Sequence, residues 1–463
     1  MSSQQPDQED QSKKDVELYN GWIDYLNKRH AVCMVGSDCV VMNEYWDPVF
    51  DKPEIDFSSF QSFRNRYMNR RIRNPFRQSG QPEFQDVGSL WLRSGQRREF
   101  ERVIFDPSVN GNGSKDGGES KDGGERRYFN MFRGFAIQPV KGSWHLLKNH
   151  ILEIVCSGNE EVFFWMLAWM ARIVQAPGGE RPGTAIVLKG VQGSGKGCVI
   201  NSFGQIFGPH FLQITQQDQL TGRFNTHLKD CILLFCDEII WGGDKKAEGI
   251  LKGLITEHHL MIEPKNKDAF KVRSNLNVMV ASNNDWVIPA GLEERRFCVL
   301  HVRPDHSGDR AYFEALHKQI NNGGVPAMLY DLMNYDYRSF DLRTIPRTGE
   351  LFNQILNSMH PVHKFWYERL KDGFLLPNDS QWLEKVPISI LYDYYCEFSE
   401  KVSRAPRLSP TQFGKKLREV CPDLSRFRPE IDGERKWCYA VPDLDYCRAN
   451  LADSVRMDID WDE

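Results

Sequence analysis

Nowhere in its 463 residues does the chain carry the apolar run of roughly 20 residues that a membrane-spanning helix needs. The best candidate, 162–174, is too short and carries Arg172, so it reads as a buried or amphipathic helix. The N-terminal stretch MSSQQPDQEDQSKKD has no apolar segment of the kind a secretion signal requires, and a cytoplasmic location without membrane contact is expected. No CxxC pair occurs, and the eleven cysteines are odd in number and scattered. That argues against a zinc ribbon and a disulfide framework and fits reduced thiols. A strong charge of one sign is also missing: at a formal −4, any nucleic-acid site must be a local basic patch.

What is present is ample apolar material, 40% of residues with 12 Trp and 28 Phe, enough for two to four domains in a chain this long. Residues 1–14 are polar and expected to be disordered. Residues 15–150 read as an N-terminal α+β domain, with a β-hairpin over Ala31 to Met42 turning at Gly36-Ser37-Asp38 and an arginine-dense segment, Phe63 to Arg77. Inside it, 113–125 contains SKDGGE twice in tandem and is expected to be a flexible surface loop. Residues 151–182 suggest a helical collar. Over 183–340 four β-branched runs alternate with helical lengths (TAIVLKG, ILLFCDE, NVMVAS, FCVLHV), which predicts an α/β core with a mainly parallel sheet. Residues 341–450 read as helices followed by a strand pair around Asp432-Gly433, and 451–463 as an acidic tail.

The strongest chemical signal comes directly after the apolar run Ala185 to Leu188. Strand, glycine loop and helix are the parts of a phosphate cradle, and Gly190, Gln192, Gly193, Ser194, Gly195, Lys196, Gly197 and Cys198 supply the loop and helix start. The glycines let backbone N–H groups turn onto phosphate oxygens, the helix N-terminus adds its positive end, and Lys196 reaches the β- and γ-phosphates of ATP. The position after the lysine usually offers a hydroxyl to Mg²⁺; here it is Gly197, so Mg²⁺ is expected to be held through water, with Ser194 the second choice. The next buried run ends in Asp237 and Glu238. Asp237 would hold Mg²⁺ through water, and Glu238 would orient or deprotonate an attacking water. A third run ends in Asn283 and Asn284; the amide of Asn283, or failing it Asn284, could sense a γ-phosphate, the plainer alternative being an Asn that caps the strand end. Arg295 and Arg296 precede the last run. Arg296 is preferred as a guanidinium acting on a neighbouring subunit's phosphate, against the alternative that Glu293 and Glu294 tie both arginines into ion pairs.

The order of these elements, with IEPKNKDAFKV between the acids and the asparagines, resembles superfamily 3 helicases. More closely, NMFRGFAIQP, GVQGSGKG, FCDEIIW, IEPKNKDAF, ASNND, EERRF and HPVHKFWYERLKDG resemble the helicase part of phage primase-polymerase and primase-helicase proteins. The resemblance spans about Trp91 to Gly373 and shares the GKG loop. It implies an α/β P-loop AAA+ ATPase core over 183–340. It also implies a hexameric ring on single-stranded or forked DNA, and a hairpin whose Lys265 and Lys267, with Phe270 as a stacking partner, reach the pore. A primase or polymerase would be a natural partner. The segment LYDYYCEFSEKVSRAPRLSPTQFGKKLREV resembles a winged-helix domain, in which Ser409 would cap the recognition helix and Lys415, Lys416 and Arg418 would face phosphates. An origin-binding or assembly ATPase without processive unwinding is the alternative, and a nucleotide kinase a remoter one suggested by the GKG loop alone.

Overall fold

The computed structural model describes residues 5–49, 52–108, 114–119, 125–239, 245–265, 268–377, 379–402, 407–431 and 433–461. The chain divides into two compact units, 1–134 and 135–463. No helix among the described residues is long and apolar enough to cross a membrane.

The first unit opens with α1 (Gln5–Asn27). The N-terminal segment expected to be disordered is therefore helical from Gln5. Its C-terminal half buries Ile23 and Leu26, and the exposed half extends that helix with i,i+4 pairs, Lys14 to Asp10 at 2.7 Å and Gln11 to Asp15 at 3.0 Å. The expected hairpin is β1 (His30–Val35) and β2 (Asp38–Asp47), in a register that pairs Val35 with Asp38 across a two-residue turn where Gly36 has φ +63°. With β3 (Lys52–Ser58) and β4 (Glu99–Phe100) these form a sheet in the order β3-β2-β1-β4. Helices α2 (Phe60–Tyr67) and α3 (Val87–Arg93) bury Phe63, Tyr67 and Trp91 against α1. His30 is enclosed there between the Asn43 side chain (2.9 Å) and the Tyr67 hydroxyl (2.7 Å), and burial lowers its pKa to about 4.

The glycine-rich stretch expected as a loop differs from that reading. Residues 114–119 form β5 (Ser114–Glu119), antiparallel to β6 (Glu125–Asn130), while 113 and 120–124 lie outside the described residues. The other edge of β6 pairs with Arg102–Ile104, and the polar repeat satisfies the backbone groups that β6 would otherwise leave open.

The second unit begins at Phe135, earlier than the boundary at 150 expected from sequence. The Ala136 N–H donates to the Ile206 carbonyl (2.9 Å) and the Trp144 indole N–H to Asp331 (2.7 Å), which ties 135–150 to the chain around 206 and 331. Helix α4 (Glu160–Gln175), capped by Asn159, is buried on nearly every side and packs on α8 (Val325–Met333). It is a core helix, as its apolar circumference requires and as the reading of 162–174 as a buried helix expects.

Five parallel strands make the central sheet: β7 (Ala185–Lys189), β8 (Phe211–Ile214), β9 (Leu233–Asp237), β12 (Asn277–Ser282) and β13 (Phe297–His301), ordered β8-β9-β12-β7-β13. Sequence reading finds four of them. The fifth, FLQI, is too short for its pattern to stand out. β7 and β12 are interior strands buried along nearly their whole length, as expected of parallel strands covered on both faces, so the sheet's carboxyl edge is where polar loops gather. Helix α5 (Lys196–Gly204) leaves that edge after β7, and α6 (Lys245–Thr256) lies after β9. Between β9 and β12 stands a separate hairpin, β10 (His259–Ile262) with β11 (Phe270–Arg273). Helix α7 (Arg310–Gln319) comes after β13 and leads to α8. α9 (Gly349–Ser358) also belongs to the sheet region: the side-chain carbonyl of its buried Gln354 accepts from the backbone of Val287 (2.9 Å).

The remainder is α10 (Pro361–Asp372), β14 (Lys385–Pro387), α11 (Ile388–Val402), α12 (Pro410–Val420), β15 (Ser425–Phe427), β16 (Cys438–Ala440) and α13 (Leu444–Val455). Its three strands form an antiparallel sheet in the order β14-β16-β15, with a small hairpin, Glu430–Ile431 and Glu434–Arg435, between β15 and β16. Trp366, Phe413, Leu417 and Tyr439 make the core. The expected acidic tail is largely structured. Its first residues complete α13, Arg456 turns the chain with φ +56°, and Ile459 and Trp461 pack back on that core. Two apolar side chains among the aspartates are enough to hold it.

Candidate functional site

The loop between β7 and α5 is built by its glycines. Gly195 has φ +92°, and an added Cβ would lie 2.3 Å from the imidazole Nε2 of His150, so neither backbone nor space admits another residue. His150 is fully buried at the start of a π-helical turn, His150–Val155. Its Nδ1 lies 2.9 Å from the Tyr312 hydroxyl, its Nε2 faces the Gly195 backbone, and burial lowers its pKa to about 4. It is a neutral backstop behind the loop. Sequence reading misses it because nothing in HLLKNHILEIV points to position 195.

Lys196 is 6% exposed, and its ammonium donates to the carbonyls of Gly190 (2.7 Å) and Val191 (2.8 Å). Burial lowers its pKa, and the charges of Glu238 and Asp237 act against that shift. Ser194 is buried, with a hydroxyl that finds no partner. The loop opens on a cleft of about 450 Å³ lined by Gln192 through Cys198, by Asp237 and Glu238, and on α7 and beyond by Phe313, His317 and Asn321. The structure thus brings together the loop, the lysine and both acids expected from sequence.

Asp237 ends β9, and its Oδ2 accepts from the Gln213 amide at 2.8 Å. Glu238 comes next with φ +56°, a left-handed backbone rare for a side chain of this kind. That turn is held by its N–H on the Ala281 carbonyl (2.9 Å), and its Oε2 accepts from the Asn283 backbone N–H (3.3 Å). The first expected asparagine therefore meets Glu238 through its backbone, while its side chain is exposed and outside the cleft lining. Asn284 turns its amide onto Ser282 (3.3 Å). Cys198 lines the cleft, but burial pushes its thiol up to about 11, so it stays protonated and offers no substitute for a hard oxygen ligand.

The two arginines differ. Glu294 is buried and accepts from the backbone N–H groups of Arg295 (2.9 Å) and Arg296 (2.8 Å). Its carboxylate lies 3.7 Å from the Arg296 guanidinium. Arg295 is exposed, and its guanidinium has no hydrogen-bond or ion-pair partner among the described residues. The preferred residue, Arg296, is the tethered one.

At the hairpin, Lys265 is exposed just beyond β10, and Phe270, half-buried, pairs with Ile262; Lys267 lies outside the described residues. The turn end of the hairpin is fixed by the Asn225 side chain, which donates to Met261 (2.8 Å) and accepts from Glu263 (2.9 Å), and by an Arg223–Glu263 ion pair. On α12, Ser409 is the N-cap and forms a capping box with Gln412. Lys415 is exposed, Lys416 is paired with Glu419 (2.9 Å), and Arg418 donates to the Leu424 carbonyl (3.4 Å).

Residues 188–296, from the end of β7 to Arg296, match a family model described as a family of unknown function, DUF5906. The DNA primase-polymerase of Nitratiruptor phage NrS-1 is 28% identical over 182 residues, which is 38% of this chain and 25% of that protein. The chain therefore spans about a quarter of that relative's length. An apo structure of the NrS-1 C-terminal region (305–718) superposes with a TM-score of 0.61 at 17% identity, covering 87% of this chain and 96% of that one. An A-form apo structure of the same region gives 0.60 at 18%, covering 87% and 97%. This chain is related in sequence to a phage replication protein and shares the mixed α/β fold of that protein's C-terminal region.

Proposed function

We propose that the chain is an ATP-driven translocase of the AAA+ type that works as a ring on single-stranded or forked DNA in phage or mobile-element replication. One observation carries this reading: a glycine loop ending in buried Lys196 shares one cleft with Asp237 and Glu238 at the carboxyl edge of a parallel sheet. Backbone N–H groups of 193–197 would bind the phosphates, and Lys196 would exchange its two loop carbonyls for phosphate oxygens. Mg²⁺, when bound, would neutralise charge on the β- and γ-phosphates, with Asp237 holding it through water. Glu238 would orient the attacking water. Arg295, being unpaired, would reach a neighbouring subunit's phosphate. Helix, strand, two helices and two strands around the hairpin at Glu430–Arg435 support the winged-helix reading, in which Lys415 rather than the paired Lys416 would meet DNA.

The test is Mg²⁺-dependent ATP hydrolysis by the full chain with and without single-stranded DNA. Stimulation by the strand supports a translocase. Hydrolysis that ignores DNA favours the assembly-ATPase alternative, and phosphoryl transfer to a nucleotide would replace both with a kinase.

Replacing Lys265 and Lys267 together with Ala should leave basal hydrolysis and assembly intact while abolishing stimulation and unwinding. A double variant that unwinds a forked duplex at the wild-type rate removes the hairpin from the strand path.

Gly197→Ser tests how the metal is held. The nearest atom to an added Cβ is the Asn201 amide nitrogen at 3.7 Å, an ordinary contact, and serine is about 0.5 kcal/mol better than glycine within a helix. The variant should melt no lower than the parent and should reach half-maximal hydrolysis at a lower Mg²⁺ concentration. An unchanged Mg²⁺ midpoint would mean that a hydroxyl at 197 does not reach the metal.

A further inference from the structure

The arginine-dense segment of the first unit takes no part in the nucleotide cleft, yet it builds a defined surface. On α1, Trp22 and Tyr25 meet edge to face with ring centroids 5.3 Å apart. Arg29 lies over the Tyr25 ring at 4.1 Å, and Arg70 over Trp22 at 5.6 Å. Arg66, from α2, lies 5.9 Å from the Tyr67 ring. The three guanidinium groups converge from the turn after α1, from α2 and from the loop that follows it: burial raises the Tyr67 phenol, and Arg66, Arg29 and Arg70 all act to lower it again. All three are exposed, and none has a carboxylate partner among the described residues. Arg73, only three residues on, shows the contrast, since Glu83 and Asp15 neutralise it. In a chain of net charge −4, three arginines without a carboxylate partner, held against three aromatic rings, are a concentrated positive face.

We infer that this α1–α2 face binds single-stranded nucleic acid, with Arg29, Arg66 and Arg70 on phosphates and Tyr25 and Trp22 offering rings to unstacked bases. The chemistry selects the partner. A duplex hides its bases, whereas a single strand presents charge and aromatic faces side by side, which is what this surface complements. The guanidinium groups, already lying over rings, are oriented before the strand arrives and lose less freedom on binding. The inference rests on the partner class of the proposed translocase, but the surface is built from residues that belong to neither its cleft nor its hairpin.

The experiment uses the full chain without nucleotide and tracks the fluorescence anisotropy of a labelled oligothymidylate across a salt series. Arg29→Gln, Arg66→Gln and Arg70→Gln combined should weaken binding at least tenfold and reduce the slope of log affinity against log salt by about 2, since each phosphate contact on a single strand contributes about 0.7. Tyr25→Leu should weaken binding about fivefold or more with the slope unchanged, a stacking loss without a charge loss. Neither variant should alter basal ATP hydrolysis or thermal midpoint. Lys196→Ala, placed in the same assay, separates this inference from the translocase: arginine-dependent binding that survives in a chain unable to hydrolyse ATP upholds the surface whatever becomes of the motor. Wild-type affinity and slope in the triple variant overturn the proposal. So does equal binding of a blunt duplex. It is also overturned if the triple substitution abolishes binding to phosphatidylserine vesicles and spares the oligonucleotide.

Discussion

Glu238→Gln should bind ATP as tightly as the parent chain and hydrolyse it about 10²–10⁴-fold more slowly. The substitution keeps the shape of the side chain and one carbonyl oxygen for the Asn283 N–H while removing the carboxylate that would polarise water. Lys196 and the glycine loop, which would hold the phosphates, are untouched. Binding measured with a fluorescent ATP analogue, beside steady-state phosphate release, reads the two effects separately. Undiminished release would mean that the water is activated elsewhere and that β9 has been misassigned. Loss of binding together with turnover would instead place Glu238 in the structural support of the loop.

Arg295→Ala should lose nearly all hydrolysis while leaving nucleotide affinity within a few fold, and Arg296→Ala should lose much less. The difference rests on Glu294, which is buried and holds the backbone at 295–296 while lying 3.7 Å from the Arg296 guanidinium. A group already engaged inside its own subunit is poorly placed to act on a neighbour, whereas Arg295 is free to do so. Mixing Arg295→Ala with Glu238→Gln, each nearly inactive alone, should restore part of the activity, because some interfaces then join an intact arginine to an intact acid. No recovery on mixing, with both variants assembled to the parent's size, would show that the site is not shared between subunits. A fully active monomer would end the ring reading altogether.

The glycine loop and the acid pair are legible in the sequence because each is a local pattern at the end of an apolar run. Parallel strands deliver such ends to the same edge whatever the intervening chain does. Which of Arg295 and Arg296 is tethered is not legible, since it turns on which neighbour Glu294's carboxylate faces once buried. His150 is hidden for another reason: its contact with Gly195 joins a helical turn to a loop across the whole of α4 and β7, and no spacing rule links them. The N-terminal helix and the strand formed by the SKDGGE repeat escape a reading that equates polar composition with absence of structure. A long helix anchored at one end, and an open strand edge, can each recruit polar sequence that would not fold by itself. The boundary at Phe135 depends on pairings with Ile206 and Asp331, far along the chain.

On the proposed reading, the left-handed backbone of Glu238 sets robustness against turnover at a single position. Holding a residue with a Cβ at φ +56° costs about 1 kcal/mol that glycine would not incur. Selection for heat resistance alone would therefore drift toward glycine at 238, and selection for catalysis would hold the acid in place. A chain with glycine there could melt later and be inert, so thermal stability is a poor surrogate for function when variants of this site are sorted. The carboxylate occupies a place the fold by itself would give to another residue.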